Sequence, residues 1–309
     1  MNCKLSALAC ASVLATCTAL MPQLAQAHGY AGQRFFPATI VTDDPFVSDE
    51  LSLPTISTVR APNDDGVPTR QTVISIDYTK RITSRFGLGF GESYLINDPE
   101  RGANAYGYDN LALSAKYLAY VSAPHETLLS VGVDADIGGT GVARVGAEGF
   151  SVITPSVFFG KGLGDLPHSM GWLRAFAVTG VVGVELPTRA AVAGSGEGLP
   201  HVLDAGVAIE YSIPYLQQSV RDIGLGAPFD RLIPLVEIAT ATPLDRGQSG
   251  QLTGTVNPGI LWIGQRMQIG IEANIPINSR TGGDVGVTAQ LHWFLDDIFP
   301  DSFGKPLFS

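Results

Sequence analysis

Past residue 17 the chain has no cysteine, since Cys3, Cys10 and Cys17 are its only three. Disulfides, thiolate metal sites and cysteine nucleophiles are therefore excluded from the rest of the chain. Charge is also scarce: Asp, Glu, Lys and Arg make up 16% of residues, against ~25% in ordinary globular chains. Beyond the N-terminus no apolar run approaches the ~20 residues a spanning helix needs, which excludes a helical membrane bundle. No clean internal repeat supports a propeller or solenoid. Basic residues number 19 against 29 acidic ones, a net charge of −10, and that balance speaks against nucleic acid as a partner. What is abundant is apolar surface, 45% of residues, and glycine, 36 of 309. So much apolar content excludes disorder.

Residues 1–27 read as a secretory signal: Lys4 is the basic start, Leu5 to Met21 the apolar stretch, and Ala25-Gln26-Ala27 the small-x-small cleavage site. The mature chain would begin at His28, with 282 residues and a net charge of −11. Pro22, Gln23 and Gln26 argue against a spanning helix here, and Thr16 before Cys17 against a lipoprotein signal.

The remainder alternates with period two. Leu129, Val131, Val133, Ala135 and Ile137 interleave with Ser130, Gly132, Asp134, Asp136 and Gly138. Leu203 to Tyr211, Met267 to Ile275 and Val287 to Trp293 repeat the pattern, greasy on one face and small or polar on the other. About twelve such segments are expected, near 51-60, 71-82, 85-96, 107-121, 127-138, 150-160, 172-185, 201-212, 231-242, 254-263, 267-277 and 285-295. Tight connections alternate with longer Gly-, Asp-, Asn- or Pro-rich ones, although 161-171 and 213-230 are long on the tight side. Tyr215 to Ile223, free of glycine, could hold a small helix. The fold class is all-β: a closed antiparallel transmembrane β-barrel of about 12 strands over 51-295, with a tail at 296-309. Residues 28-50 do not alternate cleanly and form an N-terminal periplasmic or plug segment. The competing architecture, a soluble periplasmic β-sandwich binding protein, should show more surface charge and fewer glycines such as Gly87, Gly89 and Gly91. Tyr78, Phe90, Tyr94, Tyr117, Tyr211, Trp262 and Trp293 fall toward strand ends, where amphipathic rings favour the membrane boundary.

With its signal, its alternation from about 71 to 295 and a final Leu291-His292-Trp293-Phe294, the chain resembles bacterial outer-membrane β-barrels. Among them it resembles a loosely defined transporter family labelled MetA pathway of phenol degradation. The resemblance implies a Gram-negative outer membrane, lipids as surroundings, and barrel-assembly machinery that reads a terminal Phe. Phe294 or Phe308 would fill that part, though Ser309 ends the chain.

If the polar faces line a lumen, its titratable residues are Asp77, Arg81, Arg85, Lys116, Asp134, Asp136, Arg174, Asp204, Glu210, Glu237, Glu272 and His292. Seven acids against four permanent cations favour cations or neutral polar solutes. Asp134 and Asp136 share a strand face, where hydrated wall residues are the default over acid-base work. His28-Gly29-Tyr30 is similar to the N-terminus of copper monooxygenases, but His125, His168, His201 and His292 lack ligand spacing. His168-Ser169, the adjacent pair a lipase reading would use, lies in a connection on the periplasmic side, and a lipase needs an orienting polar third residue besides. Gly87-Leu88-Gly89 and Gly160-Lys161-Gly162 complete no phosphate loop. The expected role is thus not enzymatic and needs no cofactor or metal: a channel or transporter for passive movement of small solutes, aromatic or cationic ones among them. A non-conducting structural barrel is the alternative.

Overall fold

The computed structural model describes residues 29–62, 66–194 and 196–308. The expected signal, the three cysteines and His28 lie outside them. Twelve strands form the wall: β1 Glu50–Pro62, β2 Pro68–Arg81, β3 Phe86–Pro99, β4 Leu111–Ser122, β5 Thr127–Ile137 and β6 Val152–Gly162 come first. They are followed by β7 Phe176–Pro187, β8 Val202–Tyr211, β9 Leu232–Pro243, β10 Thr253–Ile263, β11 Met267–Pro276 and β12 Gly286–Phe294. Each pairs antiparallel with its sequence neighbours, and β12 closes the ring on β1 through Val287↔Thr58 to Phe294↔Glu50. Closure pairs every strand edge and overturns the sandwich alternative.

The alternation read from the sequence sorts the residues as expected. On β5, Leu129, Val131 and Val133 are exposed outward while Ser130 is fully buried. On β11, Ile269, Ile271 and Ile275 face out, and Gln268 and Glu272 are buried inside. Outward apolar side chains continue around the ring through Leu113, Val157, Val182, Ile209 and Ile260, a surface that only lipid would cover without cost. Among the described residues no helix is long and apolar enough to cross a membrane, so any crossing is made by strands. Outward aromatic pairs include Phe176–Tyr211 (4.7 Å between centroids) on the tight-turn side and Tyr94–Tyr108 (5.1 Å) toward the long loops.

Two details depart from the sequence expectations. The segment expected at 107-121 is broken at Asp109-Asn110: Ala105–Tyr108 pairs with β3 as a short separate strand before β4 begins. The segment expected from 172 starts only at Phe176, because His168–Ala175 coils into a 3-10 helix. Phe294 points inward, with its ring 6.1 Å from Phe35 and 5.3 Å from His292. The glycine-free stretch does fold helically, over Ile213–Tyr215 and Leu216–Val220. β1 starts and β12 ends beside the tight turns, so both ends of the described chain lie at that end of the barrel.

Candidate functional site in the barrel lumen

Residues 29–49, from which alternation is missing, occupy the tight-turn half of the lumen. A two-residue hairpin, Tyr30–Ala31 with Arg34–Phe35, leads into an irregular stretch that is buried at 36–39 and 44–49. Phe36 and Phe46 join Ala31, Ala38, Leu128 and Ala177 in one apolar cluster, and Phe35 and Ile40 pack on Ile233, Leu235 and Leu261 in another. Inward glycines supply the room. A Cβ at Gly206 would meet Thr42 at 2.6 Å, at Gly270 Ile40 at 2.5 Å, at Gly87 Val47 at 2.7 Å, and at Gly160 Pro45 at 2.9 Å. These four strands leave a gap only glycine allows, and the segment fills it. We predict that Gly206→Val displaces the segment around Thr42 without opening the wall. Limited proteolysis should then nick residues 29–49 while the barrel keeps its heat-modifiable migration.

Because the segment forms no strand with the wall, its backbone needs other partners. Glu237 on β9 is the main one: its carboxylate accepts from the amides of Ile40 (2.7 Å), Val41 (3.0 Å) and Thr42 (2.6 Å), and from the Thr42 hydroxyl (2.8 Å). Three consecutive N–H groups aimed at one anion form a cradle for negative charge. Opposite, Lys116 on β4 donates to Asp43 Oδ1 and to the Asp44 carbonyl, both at 2.8 Å. Gln268 donates to the Ala38 carbonyl at 2.6 Å, and Ser130 to that of Pro45. Burial raises the Asp44 carboxyl well above the usual carboxylate range, against the lowering pull of Lys116.

At the tight-turn end a second set of contacts holds the hairpin. Arg34, fully buried, donates to Glu126 Oε2 (3.1 Å) and to the carbonyls of Ala175 (3.1 Å) and Arg174 (2.5 Å), and its guanidinium lies 3.6 Å from the Tyr215 ring centroid. Glu126 also accepts from Tyr215 Oη at 2.6 Å and from the Gly164 amide at 2.9 Å. Burial and this bond to Glu126 push the Tyr215 phenol up to about 12. Replacing Arg34 by Met should cost roughly 3–5 kcal/mol, because it strands a buried carboxylate. The expected readout is earlier proteolytic release of the hairpin, with Arg34→Lys giving an intermediate result.

The sequence-predicted lumen residues divide by depth. Lys116, Glu237 and His292 contact the segment or its exit. His292 Nδ1 is 2.9 Å from Ser52 Oγ, and its Nε2 lies 3.4 Å from Glu50. Glu210 takes a hydrogen bond from Thr179 at 3.2 Å, and Glu272 is buried beneath the segment. Asp77 and Asp134 border a cavity of ≈ 290 Å³ between the segment and the wall. Asp136 and Asp77 border a hollow nearer the loops, with Glu92, Asp109 and Glu148, and Asp204 lines a third beside Thr42 and Asp43. Three expectations are corrected. Arg85 is exposed in the turn between β2 and β3, outside the wall. Arg81 is held at the barrel end by Asp49 (2.6 Å) and Asp296 (3.5 Å), facing no open passage. Arg174, likewise, sits in the 3-10 helix and donates to the Gly164 carbonyl at 2.9 Å. Sequence reasoning passed over Arg34, Glu126 and Asp49, because none sits in an alternating strand interior. His168 meets Arg174 at 3.0 Å, and among the described residues no group of three His, Cys, Asp or Glu side chains could hold a metal ion.

No family model matches the chain, and no curated protein matches it in sequence. Among solved structures it is similar to an outer membrane channel from Pseudomonas putida F1, at a TM-score of 0.57 and 10% identity over 84% of this chain and 99% of that one. The fold is that of an outer-membrane β-barrel. The translocator domain of the autotransporter NalP from Neisseria meningitidis is more distant, at 0.45 and 10% identity over 80% and 88% of the two chains. The KdgM porin scores 0.41 at 8% identity, over 79% and 98%. Ring closure and an apolar exterior place this barrel in the outer membrane.

Proposed function

We propose that this barrel is an outer-membrane channel for passive movement of small solutes, cations and aromatics among them, with residues 29–49 as its removable plug. The observation that carries this reading is the seating of the segment. It is held by side-chain hydrogen bonds, by ion pairs at Arg34, Asp43 and Asp49, and by two apolar clusters, without strand pairing to the wall, so it can leave while the ring stays closed. The channel role of the similarly folded Pseudomonas putida protein, and kinship with the transporters labelled MetA pathway of phenol degradation, belong to the same proposal. On the loop side of the plug, Asp77, Asp134, Asp136 and Asp204 set the sign of the passage. In planar bilayers under a KCl gradient, the expected reversal potential is that of a cation-preferring pore. An anion preference would contradict the assignment of those carboxylates, and absence of current even without the plug would favour a structural barrel.

A further inference from the structure

The ≈ 290 Å³ cavity between the plug and the wall is lined by five carboxylates, those of Asp43, Asp44, Glu50, Asp77 and Asp134. Lys116 is its one permanent cation, and that ammonium is already engaged by Asp43 Oδ1 and the Asp44 carbonyl at 2.8 Å. Two buried acceptors on the lining are left over. Asp44 Oδ1 makes no hydrogen bond and lies 3.7 Å from the Lys116 ammonium, and Gln290 Oε1 makes none at all; both residues are 7% exposed. Neither Asp77 nor Asp134 has an ion-pair partner within 4.0 Å among the described residues. A buried acceptor without a donor is costly, and these face a space bounded by net negative charge. An occupant that donates hydrogen bonds and carries positive charge fits this lining.

Shape narrows the class. The plug gives the cavity an apolar patch of Ala38, Ile40, Phe46 and Val47 beside Asp43 and Asp44, and the wall adds Glu50, Asp77 and Asp134. Since a cavity of roughly 150 Å³ takes a benzene ring, this one has room for a ring-sized apolar body together with an amine head. We propose that the cavity is a binding site for an organic monoammonium compound with an apolar body of about that size. Its head would bridge Asp77, Asp134 and Asp44, and its body would lie on Phe46 and Val47. Binding there competes with Lys116 for Asp44, and so loosens the plug tip that Lys116 holds through Asp43 and the Asp44 carbonyl. This inference rests on the plugged-channel reading for its consequence but not for the site itself.

The test is calorimetric titration of the full chain in detergent with benzylammonium, with benzyl alcohol as its neutral counterpart and potassium as competitor. Expected are saturable benzylammonium binding, none for benzyl alcohol, and little displacement by equimolar potassium. The double substitution Asp77→Asn with Asp134→Asn should weaken binding by about tenfold or more. Ala112→Leu, which fills the cavity from the wall without changing charge, should do the same, with heat-modifiable migration confirming that each variant folds. Equal binding of the alcohol, full displacement by potassium, or unchanged binding in both variants would overturn the proposal. Benzylammonium binding in a barrel that never conducts would defeat the channel reading alone, and conduction without binding would defeat this inference alone.

Discussion

Removing residues 29–49 should raise single-channel conductance by about tenfold, because the narrowest section would pass from plug to wall. The wall can stand without them: all twelve strands pair with neighbours and none pairs with the segment. Loss of the segment removes buried hydrogen bonds from Glu237, Gln268, Glu126 and Arg81. Water entering the lumen would satisfy these, so the truncated barrel should still migrate faster unboiled than boiled. Apolar residues of the two clusters, Leu128, Ala177, Ile233 and Leu261, would be wetted at the same time. The truncated form should therefore melt somewhat earlier than the full chain.

A single carboxylate should control a large share of that seating. Glu237 accepts four hydrogen bonds from residues 40–42, three from backbone amides. Hydrogen bonds to a charged group contribute roughly 1.5–3 kcal/mol each and do not add fully, so Glu237→Ala should cost the seated state on the order of 3–4 kcal/mol. At about 1.4 kcal/mol per factor of ten, the open fraction would rise by two orders of magnitude or more. Glu237→Gln should fall between, since one amide oxygen still accepts while the amino group faces N–H donors. The measurement is the fraction of time open in bilayer recordings at low voltage. An unchanged fraction in Glu237→Ala would show that the apolar clusters alone hold the plug.

Much of the wall was legible because alternation is a local signal: β5, β8, β11 and β12 lie within a residue or two of where period two puts them. The turn side was legible from connection lengths, although residues 172–175 read like the strand they precede and instead end the 3-10 helix His168–Ala175. The lumen was legible by face but not by depth. Asp134 and Lys116 could be assigned inward, yet only the three-dimensional arrangement brings Lys116 to Asp43, 73 residues away. Arg81 and Arg85 show the limit of the method, for parity along a strand loses meaning where the strand ends. The plug was the least legible part. Its order comes from Glu237, Gln268 and inward glycines in distant strands, and no local pattern announces that dependence.

Disulfide trapping tests most directly whether this segment sits in the lumen and leaves it. Every cysteine of the chain precedes residue 18, so an engineered pair stands alone in a chain expressed from His28 onward. A Cβ at Gly206 would lie 3.1 Å from the Thr42 Cβ, close to the roughly 3.5–4.5 Å spacing of bridged cysteines. In a Glu237→Ala background, Thr42→Cys with Gly206→Cys should hold conductance at its floor when oxidised and release it on adding reductant. Equal conductance in the two redox states, with the bond shown to form, would contradict a movable plug.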